Sequence, residues 1–218
     1  MKMNKKKVFT LALAVCLIAI LSMSSLAWFS AEDSVNNDFL FATDEEGKTD
    51  FSVNVWEAGD EDDNGLEYTN ILPGDELSKE AHVENTGAYD QYIRVLVEIS
   101  DATALRAALG TDYKFEECFV GCDLSQWYVG GVNYFAEQDV IVVVLYYNDV
   151  LEAGKEIKLF DAVKIPEELT VADANALGNG FSITVKAHAI QAANVGDDVW
   201  AAFNTVVGWN ALTEYTNP

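Results

Sequence analysis

The chain has 218 residues and carries 13 Lys+Arg against 36 Asp+Glu, a formal charge of −23. That acid excess excludes a binder of the nucleic-acid phosphate backbone, whose affinity comes mainly from basic contacts, and a polybasic grip on anionic lipid headgroups. With 50% hydrophobic and 11% aromatic residues it is no disordered acidic tail, and it can bury a sizeable core.

Residues 1–27 read as an export signal. Met1–Lys7 is positive, Val8–Leu21 is apolar apart from Thr10, and Ser25 and Ala27 put small residues three and one before a cut. Cleavage between Ala27 and Trp28 is expected. A retained anchor is the alternative, because the apolar run through Leu26 approaches the ~20 residues that span a bilayer. Cleavage removes four lysines and no acid, leaving nine basic residues against 36 acids, or −27 on 191 residues. The new start, residues 28–41, is heavily apolar: Trp28, Phe29, Val35, Phe39, Leu40 and Phe41. A free terminus frays, so such a load predicts a partner surface. That surface is either the chain's own sandwich, with the segment as an ordinary first strand, or the sheet edge of a second copy.

The following chain is mostly strands. Phe51–Val55 and Tyr92–Ile99 alternate, the latter with Ile93, Val95, Val97 and Ile99 on one face and Arg94 and Glu98 on the other. Trp127–Phe135 is aromatic and broken by Gly130-Gly131, which predicts a bend or a bulge. Val140–Tyr147 is apolar without alternation and predicts a central strand covered on both faces. Leu77–Glu84 and Lys155–Phe160 are weaker strands. Phe181–Ile190 has the cleanest period of two, with Phe181, Ile183, Val185, Ala187 and Ala189 sharing a face. Asn64-Gly65, Pro73-Gly74, Asn85-Thr86-Gly87 and Ala153-Gly154 are turn signals. Helices are expected at Asp101–Leu109 with Asp101 as cap, in a short turn at Thr170–Leu177, and at Val199–Val207 behind Asp197-Asp198, with Trp200, Phe203 and Val207 on one face. The pattern predicts an all-β fold, an antiparallel β-sandwich with a few short helices. Residues 28–218 form one domain, with 101–126 as an insertion holding a helix and two cysteines.

Export governs the cysteines. Cys16 leaves with the signal, while Cys118 and Cys122 remain, with three residues between them. Outside the cell a structural short-loop disulfide is expected, with modest stabilisation. Free thiols are the alternative. A metal or redox role has less support, since no second ligand pair lies near.

Five segments, in order, resemble the TasA/camelysin family, exported with a SipW-type signal. Ala27-Trp-Phe-Ser-Ala-Glu-Asp-Ser-Val-Asn-Asn-Asp-Phe39 resembles its start after the signal. Asn70-Ile-Leu-Pro-Gly-Asp75 resembles its V-x-P-G-D turn. Val83-Glu-Asn-Thr-Gly87 with Tyr92-Ile-Arg-Val95 is similar to V-x-N-T-G…Y-V-R-V. Tyr146-Tyr147, Leu151-Glu-Ala-Gly154 and Leu159-Phe160 resemble a further block. Ile183–Gln191 with Trp200 resembles I-x-V-x-A-x-A-I-Q…W. Two positions depart: Ala31-Glu-Asp33 delays the usual Asp, and Ala153 replaces the usual Pro. Residues 101–126 match no part of the pattern. The resemblance implies a jelly-roll sandwich, secreted and built into biofilm-matrix fibres. It also implies that the segment after the cut (Trp28, Phe29, Val35, Phe39, Phe41) inserts as a donor strand into the next subunit.

Chemistry is sparsely signalled. One relative in that family is described as a metallopeptidase, but there is no His-Glu-x-x-His and no Gly-x-Ser-x-Gly here. His82 and His188 fall on the polar faces of predicted strands and are expected to be solvated. A zinc site would need both to meet, together with a carboxylate. Asp60, Asp62, Asn64 and Gly65 fit positions 1, 3, 5 and 6 of a calcium loop, but position 12 is Ile71 rather than Glu. A solvated acidic hairpin tip is the plain alternative. The expectation is therefore a secreted structural protein of the extracellular matrix or cell surface that self-associates into fibres. It has no catalytic residues, no small-molecule substrate, no nucleic-acid partner and no cofactor other than this candidate calcium. Other matrix or cell-envelope proteins are candidate partners. A cell-envelope metallopeptidase and a calcium-dependent adhesion module are the alternatives.

Overall fold

The computed structural model describes residues 30–34, 37–38, 41–43, 49–60, 65–178 and 180–216. Ala31–Pro218 forms one compact unit. The strands are β1 (Ser30–Ser34), β2 (Asn37–Asp38), β3 (Phe41–Thr43), β4 (Thr49–Phe51), β5 (Val53–Glu57), β6 (Glu76–Asn85), β7 (Gln91–Ile99), β8 (Phe119–Val120), β9 (Trp127–Phe135), β10 (Val140–Tyr147), β11 (Glu156–Lys164) and β12 (Ile183–Gln191). The short helices are α1 (Ala102–Leu109), α2 (Val171–Ala176), α3 (Val199–Ala201) and α4 (Thr213–Thr216).

The fold is an all-β sandwich. One sheet has the order β2-β1-β12-β7-β10-β9, the other β5-β6-β11-β8, and β3 and β4 pair as a separate hairpin. The main core lies between the sheets, because both contribute one face of alternating apolar residues. Val53, Val55 and Val83 come from the smaller sheet, and Val95, Val143 and Val185 from the larger. A second core lies on the outer face of the larger sheet. There Tyr92, Leu96, Val142, Val144 and Ile190 are roofed by Phe203, Ala211 and Tyr215 of the C-terminal segment. β10 is thus covered on both faces, as its unbroken apolar run predicts. β7 is covered on both faces too, although its alternation predicts a wet side.

Local chemistry sets the details. The bulge in β9 falls between Val144 and Leu145 of its partner β10, at Gly130-Gly131. The Tyr146 ring lies where a Cβ on Gly130 would stand, so only glycine fits. α1 begins at Ala102 directly behind Asp101, as expected, but the Asp101 side chain makes no capping hydrogen bond. The Asp139 carboxylate, from the β9–β10 turn, accepts from Thr103 N at 2.7 Å instead. α2 is capped at its start: Thr170 and Asp173 form a reciprocal capping box. α3 is capped by Asp198, whose side chain accepts from Ala201 N. It then widens into a π-helical turn over Ala202–Val206. Phe203 is fully buried but Trp200 is 48% exposed, so the two do not share the apolar face that regular helical spacing predicts.

Buried Asn85 ties the ends of three elements together. Its amide donates to Tyr89 O at 2.8 Å and Leu151 O at 2.9 Å, and its carbonyl accepts from Gly87 N. The Asn-Thr-Gly and Leu-Glu-Ala-Gly signals are therefore one hydrogen-bonded corner.

Candidate functional site

Among the described residues, an apolar cleft of about 820 Å³ lies between the β5–β6 connection, the end of β11 and the start of β12, within the size range of small-molecule sites. Its outer wall is the β5–β6 connection. Pro73-Gly74 turns this chain back, with Gly74 at φ 87°, and Asp75 N donates to Leu72 O at 3.1 Å. Two backbone bonds pin the turn to the end of β11: Gly74 N to Ile165 O at 3.0 Å, and Ile165 N to Asp75 O at 2.8 Å. The Tyr68 hydroxyl donates to Ser78 O. The wall leaves Leu72 64% and Ile71 39% exposed at the mouth. Leu77, Ile165, Leu169 and Phe181 line the interior, and Ile183 and Thr184, where β12 begins, complete it.

Two charges sit among these apolar groups. Glu57 ends β5 in phase with Val53 and Val55, and Lys79 lies in β6 in phase with Leu77, Ala81 and Val83. Period two therefore turns both side chains inward. They form an ion pair between Lys79 Nζ and Glu57 Oε1, with side chains only 9% and 3% exposed. Glu57 Oε2 is buried and has no hydrogen-bond partner among the described residues. Burial, followed by the Glu57 charge, raises the pKa of the nearby Tyr68 hydroxyl. The cleft thus has apolar walls beside a buried ion pair, whose ammonium donates, among the described residues, to Glu57 Oε1 alone.

The residues singled out from the sequence lie elsewhere. His82, on β6, stacks on Trp56 at 4.1 Å and bonds Glu80 at 3.0 Å. His188, on β12, is 2% exposed. Its Nδ1 accepts from Arg94 at 2.7 Å, since arginine has no acceptor. Its ring stacks on Trp209 at 4.5 Å. Arg94 is fully buried, 4.4 Å from the Phe203 ring centre, and donates to Trp209 O at 2.6 Å. Neither histidine is solvated as expected. The C-terminal segment roofs the outer face that carries His188, and Trp56 covers His82. They stand in different sheets on strands that are not neighbours. Among the described residues no three His, Cys, Asp or Glu side chains are placed to hold a metal ion.

Cys118 and Cys122, expected as a disulfide, stand here as two thiols. Burial raises the pKa of Cys118, and burial with Asp123 pushes Cys122 up to about 11, so both are protonated at neutral pH and poor nucleophiles. Asp60 accepts from Gly65 N at 2.8 Å, bracketing the acidic tip. Asp62 and Asn64 lie outside the described residues, as do Ala27, Trp28, Phe29, Val35 and Phe39. Phe41 begins β3, opposite Phe51. Ser30–Ser34 lies as β1 beside β12 in the chain's own larger sheet.

Glu57 and Lys79 belong to no motif that stands out in the sequence. The signal for them was nonetheless present: each falls on the inward phase of its strand. No family model, curated protein or solved structure matches the chain.

Proposed function

We propose that the chain is an exported structural subunit of extracellular fibres, with a jelly-roll-type sandwich that accepts residues 28–41 of the next copy. The supporting observation is the place of β1. It pairs beside β12 at the margin of the larger sheet, with only the two-residue β2 beyond it. A marginal strand can be exchanged for the same strand of another copy, because the contacts are the same in either case. A head-to-tail exchange that does not close on itself grows a filament. The apolar load at Trp28 and Phe29 and the signal-like residues 1–27 agree with this reading.

Electron microscopy of the purified chain from Trp28 tests it. Filaments are expected from the parent. A Trp28→Ser/Phe29→Ser variant should lose them while keeping its circular dichroism and melting midpoint. Unchanged filaments in the variant would count against strand donation, and a parent that stays monomeric in salt and in mild acid would sink the fibre reading.

A further inference from the structure

We infer that the cleft holding Glu57 and Lys79 binds a small, uncharged apolar molecule that carries a hydroxyl group, an alcohol or a phenol, seated with that hydroxyl on the ion pair. Such binding is independent of fibre assembly. Three features of the cleft converge on it. The volume of about 820 Å³ suits a drug-sized or lipid-fragment-sized molecule. Leu77, Ile165, Leu169 and Phe181 on the walls would cover an apolar body. Glu57 lines the same cleft with its side chain only 3% exposed, and its Oε2 is buried with no hydrogen-bond partner among the described residues. A buried carboxylate oxygen left without a donor is costly, and a ligand that brings the donor removes that cost.

The ion pair selects the polar head. Lys79 Nζ donates to Glu57 Oε1, among the described residues, and an ammonium has three donors. A hydroxyl can donate its proton to Glu57 Oε2 and accept from Lys79 through its own oxygen, so a single atom serves both partners. A ketone or ether oxygen only accepts, and leaves Oε2 as it was. A carboxylate would set a second negative charge against Glu57, and an alkylammonium a second positive charge against Lys79. Either ion gives a neutral pair a net charge away from water, which is expensive. Leu72 and Ile71, exposed at the mouth, supply apolar cover for the far end of the ligand.

The test uses the chain from Trp28, which holds the whole compact unit Ala31–Pro218, and the fluorescent probe N-phenyl-1-naphthylamine, an apolar body with one uncharged N–H donor. Saturable enhancement of its fluorescence is expected, reversed by 1-decanol. At pH 7, 2-decanone, decanoate and decylammonium should each displace it about tenfold less well than 1-decanol, the scale of one hydrogen bond to a charged group. A Glu57→Leu/Lys79→Met variant should bind 1-decanol about tenfold more weakly and no longer rank it above 2-decanone, with a melting midpoint unchanged or higher. Should that variant misfold, Leu72→Glu at the exposed mouth is expected to weaken both probe and 1-decanol about fivefold. No saturable probe binding, equal displacement by all four heads, tighter binding of either ion, or parent-like affinity in a folded variant overturns the inference.

Discussion

Glu57 and Lys79 show how one strand phase decides the fate of a charge. On an outer face each would be an ordinary solvated residue. In phase with Val55 and Val83 they enter the sandwich and must neutralise one another. Removing one partner leaves a buried charge, which costs about 3–5 kcal/mol, whereas replacing both with apolar groups of similar size is often neutral or stabilising. Glu57→Ala is therefore expected to lower the free energy of unfolding by about 3 kcal/mol in urea titration. Glu57→Leu/Lys79→Met should fall within about 1 kcal/mol of the parent or above it. Equal losses in both would show that the pair itself holds the fold. His188 carries the same lesson in reverse. Its strand phase points it outward, yet Arg94 and Trp209 enclose it because a distant segment folds over that face.

Among the elements, α1 depends on a residue that is remote in sequence. Asp101 immediately precedes it but holds a left-handed conformation at φ 55° and makes no capping bond. Asp139 caps from 36 residues away. Its pKa is lowered by the hydrogen bonds from Thr103. A depressed carboxylate contributes stability above its unfolded pKa and loses it as pH falls through the folded value. Asp139→Ala is expected to cost about 1 kcal/mol at pH 7, with the gap to the parent closing below about pH 4. Thermal melts at the two pH values measure this, and an equal gap at both would mean that the charged cap is not the cause. Asp101→Ala makes the contrast, since it removes no capping contact to α1. β9 departs from regular pairing for a local reason that its own sequence carries: Gly130 yields to the Tyr146 ring.

For the whole molecule, the net charge opposes the proposed association. The chain carries −23, and an exported chain from Trp28 would carry −27. Such self-repulsion keeps copies apart at low ionic strength, and screening or protonation relieves it. Filament growth from the chain starting at Trp28 is therefore expected to accelerate with added salt or divalent cations and as pH falls from 7 towards 5. Light scattering follows this directly. Growth fastest at neutral pH in low salt would contradict it.

The sequence by itself determined the all-β class, most strand positions, the β9 bulge and the doubly covered β10, because each is written in local periodicity and glycine placement. It also held the inward phase of Glu57 and Lys79. The pairing of Glu57 with Lys79 needed the register of β5 against β6, and the cleft around them needed the end of β11 and the start of β12 to meet. The burial of Arg94 and His188 needed the C-terminal segment to lie over the larger sheet. The capping of α1 by Asp139 and the place of β1 beside β12 were decided in the same way. Period two tells which side of a strand a residue takes, but only tertiary packing decides whether that side meets water, because the covering atoms come from residues far along the chain.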